Sequence, residues 1–211
     1  MSPSHRIYFH NYATEFLCKI VDRSENHPIT LLVCLTRENF LEQLVATIRN
    51  PSDGTAAPED HRLLTRTLGL LSKSANTKLV FCPSIESLRA YVSVLDMGEV
   101  KPQEESRRPL LAVLDLLALH RTPPDLTAQG LSRTLAAMVE VTSRQGVDVE
   151  VCECTSPLES GDSLQGETLW NAKVPLANGT SWPRPEDGIL RGRLVSPKRI
   201  AQRWFKFGED G

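Results

Sequence analysis

The chain has 211 residues, of which 40% are hydrophobic and 24% charged, and its formal net charge is −2. That length suits one medium domain able to bury a full core. Near-neutrality excludes a global pull toward nucleic acid or membrane, so any such contact has to come from a local patch. No apolar run approaches the roughly 18–20 residues of a membrane span, and the start MSPSHRIYFHNYATEF has no signal-peptide core. An intracellular protein, nuclear or cytoplasmic, with no membrane partner is expected.

In chain order, residues 1–28 read as a helical lead-in, with Phe16, Leu17 and Ile20 as the stripe of a helix from Tyr12 to Val21. Ile29 to Leu35 is an aliphatic, β-branched strand, after which Thr36 can cap a helix carrying Phe40, Leu41, Leu44, Val45 and Ile48 at helical spacing. Asn50 to Pro58 is a turn-rich loop, and His61 to Ser72 reads as a helix with Leu64, Leu68 and Leu71 aligned. Lys78 to Cys82 is a second strand, and Ser84 caps a helix whose Leu88, Tyr91, Val92 and Leu95 form one face.

The strongest stretch runs from Pro109 to Cys154. Leu110 to Leu114 is a continuous apolar strand closed by Asp115, a helix follows from about Ser132 to Gln145, and Val147 to Cys154 is another buried-type strand. Strand, helix and strand of this kind make a parallel βαβ unit. A weaker strand, Ala172 to Leu176, lies between two polar loops. The expectation is a single doubly wound α/β domain over residues 1–211, with a mostly parallel sheet.

From Gly188 to Gly208 no acid occurs, while Arg191, Arg193, Lys198, Arg199, Arg203 and Lys206 are all basic. Ser196-Pro197 is a good N-cap and first-turn pair, and Ile200, Trp204 and Phe207 would share a helical face; an edge strand through the same residues is the alternative. Interleaved cations and Trp204 could contact phosphates and stack on an unpaired base. The same segment could instead seat its aromatics in the core and leave the cations in water.

Five cysteines, Cys18, Cys34, Cys82, Cys152 and Cys154, are an odd number lying mostly beside strands, which suits buried thiols better than disulfides. Cys152 and Cys154 share a strand face, but no histidine is spaced to complete a metal site, so no metal is expected. An apolar strand ending in aspartate has the shape of a Walker B segment, where the carboxylate serves a nucleotide-bound Mg²⁺. A phosphate-binding version of the fold also needs a glycine-rich loop after its first strand. Here Ile29–Leu35 is followed by Thr36-Arg37-Glu38-Asn39, the first glycine is Gly54, and no Gly-Lys pair occurs. Neither a cofactor nor a catalytic residue is therefore assigned, and Asp115 is read as a strand end that caps a neighbouring backbone. A rival α/β enzyme would use Asp115 and His120.

Arg108 to Cys154, RPLLAVLDLLALHRTPPDLTAQGLSRTLAAMVEVTSRQGVDVEVCEC, resembles the RecA-type recombinase core, especially the eukaryotic recombinase paralogues. In that family a Walker B strand is followed by a spacer, a Leu-Ser-x-Arg type helix start, an apolar helix and a strand ending in a polar residue. Leu110–Asp115, His120–Thr122, Leu131-Ser132-Arg133, the 134–145 helix and Val147–Cys154 look like those parts. The missing phosphate loop and the Glu153-Cys154 ending depart from the pattern and argue against carrying over ATPase activity or γ-phosphate sensing. The resemblance implies a non-catalytic RecA-like accessory subunit, a core of P-loop type without the loop, supporting homologous recombination and DNA repair on single-stranded DNA. Its partner would be a RecA-fold paralogue or a zinc-binding Shu-type protein, with Asp115 a Walker B-like vestige. ITLLVCLTRENFLEQL and TKLVFCPSIESLRAYV also resemble the RecA-like Elongator subunits, which implies a tRNA-modification complex as the alternative.

Overall fold

A computed structural model describes residues 2–24, 28–49, 61–97, 108–121, 126–158, 164–176 and 194–208. The elements are β1 (His5–Phe9), α1 (Ala13–Arg23), β2 (Ile29–Val33), α2 (Arg37–Arg49), α3 (Leu68–Ala75), β3 (Thr77–Phe81), α4 (Ile85–Ser93) and β4 (Leu110–Leu114). They continue with α5 (Leu116–His120), α6 (Ala128–Gln145), β5 (Asp148–Glu153), α7 (Glu167–Asn171), β6 (Val174–Pro175), β7 (Leu194–Val195), α8 (Pro197–Ala201) and β8 (Lys206–Phe207).

β2 and β4 are aliphatic at nearly every position and buried at every one. Such strands are stable only inside a parallel sheet covered on both faces. Six strands form that sheet in the order β3-β2-β4-β5-β1-β8, and all five pairings are parallel. The fold is a doubly wound α/β fold.

Side chains alternate between the two faces. Ile29, Leu31, Val33, Leu110, Ala112 and Leu114 pack with Phe16 and Ile20 of α1 and Phe40 of α2. Leu32, Leu111, Val113, Val149 and Val151 pack on the other side with Leu88 of α4, Leu135 and Met138 of α6 and Ile200 of α8. α6 starts at the Thr127 cap and stops at Gly146, whose φ of 69° a residue with a Cβ adopts only at a cost.

Four local expectations change. The first strand is β1, not Ile29–Leu35, and it pairs with β5 along its whole length, from His5 opposite Val149 to Phe9 opposite Glu153. Its other neighbour, β8, contributes only two pairs, so HRIYF carries little of the aliphatic signal of a central strand. The helix expected from His61 begins at Leu68, and Leu64, Leu68 and Leu71 are all exposed. Ser132 and Arg133 lie inside α6 and do not begin it. In the last segment helix and strand share the sequence: Ser196 caps α8, which ends at Ala201, and Lys206–Phe207 pairs with β1.

The weak strand expected at Ala172–Leu176 is β6, which pairs antiparallel with β7 away from the main sheet. All five cysteines are free thiols. Among the described residues no helix is long and apolar enough to cross a membrane.

Candidate functional site

In a parallel sheet every strand ends at the same edge, which makes that edge the natural place for a ligand. The register continues one residue past the strands. Cys82 N–H bonds the Val33 carbonyl at 2.8 Å, Cys34 N–H the Leu114 carbonyl at 3.0 Å, and Asp115 N–H the Cys152 carbonyl at 2.8 Å. Cys82, Cys34, Asp115 and Glu153 thereby form a row across the carboxyl ends of β3, β2, β4 and β5.

Asp115 is buried and has a φ of 60°, the one described non-glycine residue in the left-handed region. Its backbone turns β4 straight into α5, and its Oδ1 accepts the Cys154 N–H at 3.0 Å. The aspartate thus caps the end of the neighbouring strand, the backbone role expected for it. Asp and Asn tolerate this conformation better than residues without a short polar side chain.

Glu153 is fully buried. Oε1 accepts the Leu117 N–H at 2.5 Å and Oε2 the Ala118 N–H at 3.3 Å, so the carboxyl group straddles the first turn of α5. Burial, and then the charge of Asp115, raise its pKa well above the ordinary carboxyl value, while the backbone N–H groups of α5 pull the other way. Sequence reasoning gave Glu153 no such role. Its phase with Val149 and Val151, which places it on the same inward face, was the available signal.

The helices that begin at this edge carry their own acids. Glu15 Oε2 accepts the Asn11 N–H at 3.2 Å at the start of α1. Glu38 lies in the first turn of α2 and Glu86 in that of α4. The turn from β1 into α1 is His10-Asn11-Tyr12, without glycine or lysine.

The thiolate form is disfavoured at Cys34, Cys82 and Cys154. Burial lifts the pKa of Cys34 well above its ordinary value, with the charges of Glu153, Cys82 and Asp115 adding to it, and burial also raises Cys82. Cys152 and Cys154 approach to 3.6 Å between sulfurs, and this contact, followed by burial, raises Cys154. Among the described residues no group of three or more His, Cys, Asp or Glu could hold a metal.

His120 is buried at the end of α5. A cleft of about 330 Å³ near α5 is lined by Leu117, Arg121, Leu126, Leu164, Leu169, Ala172 and Pro197, and neither Asp115 nor His120 lines it. Of the cationic segment, Arg191 and Arg193 lie outside the described residues. Arg199, Arg203 and Lys206 are exposed, and Lys198 lies 5.4 Å from the Phe207 ring centroid. The aromatics pack inward: Phe205 is buried, Phe207 meets Trp170 edge-on at 5.4 Å, and Trp204 is half-buried against the core.

A family model described as SPAC22G7.03-like matches residues 12–161. No curated protein matches the chain. The matched residues run from the start of α1 to beyond β5, taking in Asp115 and Glu153 and leaving out β1 and the cationic segment.

Asp115→Ala should lower stability by about 2–4 kcal/mol, through the positive φ and the unpaired Cys154 N–H. Asp115→Asn keeps the acceptor and the backbone preference, and should cost no more than about 1 kcal/mol. Urea unfolding of both variants checks the ordering, which fails if the two cost the same.

Glu153 gives a pH prediction. Its folded pKa lies above the ordinary 4.5, so its contribution to stability is complete below 4.5 and is lost as pH rises through the folded value. Glu153→Gln cannot ionise and should flatten that decline in a series of denaturation midpoints from about pH 4 to about pH 8. Parallel pH profiles for the two proteins would refute the assignment.

Proposed function

This chain belongs to the SPAC22G7.03-like family, and from that premise we propose that it is a non-catalytic accessory subunit of a protein complex, RecA-like in form. The family description names no activity, so the reading rests on the carboxyl edge of the sheet. One observation carries it: a carboxyl group of the chain itself, that of Glu153, occupies the start of α5 at the sheet edge where a nucleotide's phosphates would have to bind. Glu153 accepts the N–H groups of Leu117 and Ala118 in the first turn of α5, while Glu15, in the first turn of α1, accepts the Asn11 N–H just ahead of that helix. A phosphate brought to α5 would meet N–H groups already bonded and a buried carboxyl group in place of free donors. The β1–α1 turn, at the place where a phosphate loop would follow the first strand, has neither glycine for close backbone approach nor lysine for charge.

The closeness of Asp115 and Glu153 on adjacent strands is compatible with descent from a Walker B and sensor pair, with both side chains now serving the backbone. Homologous recombination on single-stranded DNA is the setting that the resemblance of Arg108–Cys154 favours. Arg199, Arg203 and Lys206 on the surface supply cations for phosphate contacts. With Phe205 and Phe207 committed to packing, such contact is electrostatic, weak and strongly salt-dependent. An Elongator-like setting would share the fold and differ in the proteins that copurify.

Purified protein with Mg-ATP should show no hydrolysis above the blank and no nucleotide-induced rise in Tm. A Mg²⁺-dependent ATPase that disappears in Asp115→Asn would sink the accessory-subunit reading. For the nucleic-acid arm, Arg199→Ala combined with Arg203→Ala should weaken binding to a single-stranded oligonucleotide at low salt. The slope of log affinity against log salt should shrink by about 0.7 for each phosphate that the variant no longer neutralises. An unchanged mobility-shift titration would leave this segment with a packing role only.

A further inference from the structure

β3 is an edge of the six-stranded sheet, paired on one side with β2. Its residues are exposed or half-buried, in contrast to the fully buried β2 beside it. The Ile29 N–H bonds the Asn76 carbonyl, and the Cys82 N–H bonds the Val33 carbonyl. Bonding direction alternates along a strand, so Lys78 and Val80 also face β2, while Thr77, Leu79 and Phe81 turn N–H and C=O to the open side. Among the described residues no strand takes up those groups.

α3 leads directly into this strand and buries none of its residues. Leu64, Leu68 and Leu71 are spaced like a core stripe, yet they are 54%, 86% and 58% exposed, and Leu79 on β3 is 47% exposed. An open strand edge beside unburied leucines is a surface that soluble proteins ordinarily blunt or cover. Lys78 does not block it, because its ammonium lies over the Tyr91 ring of α4 at 5.4 Å.

Charge narrows the occupant. Residues 61–85 contain Arg62, Arg66, Lys73 and Lys78 and no acid, in a chain of net charge −2. Arg62 and Lys73 already hold Asp22 of α1, whereas Arg66 and Lys78 extend the cationic rim. The opposite edge of the sheet, at β8, is cationic too, with Arg199, Arg203 and Lys206 exposed. Two copies meeting edge to edge, in either combination, would bring like charges together.

We propose that the α3–β3 margin docks an acidic strand of a partner protein, which extends the sheet along β3 and lays alternate apolar side chains against the exposed leucines. This rests on the accessory-subunit reading and gives that partner its chemistry.

The full chain can be titrated, by fluorescence anisotropy at low salt, against a labelled synthetic peptide alternating Glu with Val and Leu. Its lysine counterpart serves as the control. The acidic peptide is expected to bind and the lysine peptide not. Arg66→Glu with Lys78→Glu, both on exposed side chains, should weaken binding on the order of tenfold or more. Leu79→Pro removes an outward N–H without touching the β2 pairing and should also abolish binding, with circular dichroism confirming the fold. If that variant fails to fold, the charge reversal decides alone.

The proposal is overturned if the acidic peptide does not bind, if the lysine peptide binds equally, or if the charge reversal leaves affinity unchanged. It is also overturned if sedimentation finds the free chain dimeric through β3, since the occupant is then a second copy. A chain that binds the acidic peptide and also hydrolyses ATP keeps this site and loses the accessory reading. A chain inert to ATP that ignores the peptide loses only the site.

Discussion

A sheet that is parallel and buried on both faces obliges its covering helices to start where its strands end. α1, α2, α4 and α5 all begin at the carboxyl edge, and each begins with N–H groups that its own helix cannot satisfy. That edge is therefore an anion-seeking surface whatever the protein does. Here part of it is answered internally: Glu153 accepts N–H groups of α5, and Glu15, Glu38 and Glu86 sit in the first turns of α1, α2 and α4. The carboxyl of Glu86 is held below its ordinary value by its own backbone N–H and by Ser84. Electrostatic demand that a nucleotide-binding protein would leave for its ligand is met here in part by side chains.

Internal satisfaction has a cost that the core must offset. Glu153 and Asp115 are both buried on adjacent strands, and Glu150 is buried on the opposite face of β5. Glu150 is compensated by Arg23 at the end of α1, which also lies 3.8 Å from Asp148. Asp148 in turn accepts the Ser4 N–H at 2.8 Å, so the start of β1 is tied to β5 through charge as well as pairing. Removing one partner from such a group leaves an uncompensated charge, which is why these residues bear on the fold more than their number suggests. The aliphatic burial of β2 and β4 supplies the opposing term, at about 25 cal/mol for each Å² taken from water.

The two sides of the sheet, at β3 and β8, are open among the described residues. Both are cationic, and they differ in everything else. At β8 the aromatics fold inward, as Phe9 and Phe207 stack at 5.9 Å and His5 meets Phe205 at 5.7 Å, leaving charge alone outside. At β3 the leucines stay outside together with the charge. One side presents charge alone, and the other charge together with exposed apolar side chains.

Sequence alone determined the fold class, because continuous aliphatic runs such as Leu110–Leu114 and the alternating helices leave few other ways to bury their surface. It also located the caps at Ser84 and Ser196 and the thiols at strand ends, all of which depend on neighbours close in the chain. β1 escaped notice because His5–Phe9 owes its place to Val149–Glu153, far along the chain, and to little of its own hydrophobicity. The aligned Leu64, Leu68 and Leu71 gave a helix from their spacing, but spacing cannot say where that helix starts or whether another element arrives to cover it. Only the tertiary structure decided what Asp115 and Glu153 do, since a carboxylate's role depends on which N–H groups and charges the fold brings within reach. An aspartate at the end of an apolar strand is written in the sequence, but its hydrogen bond to Cys154 is made only when β4 and β5 lie side by side.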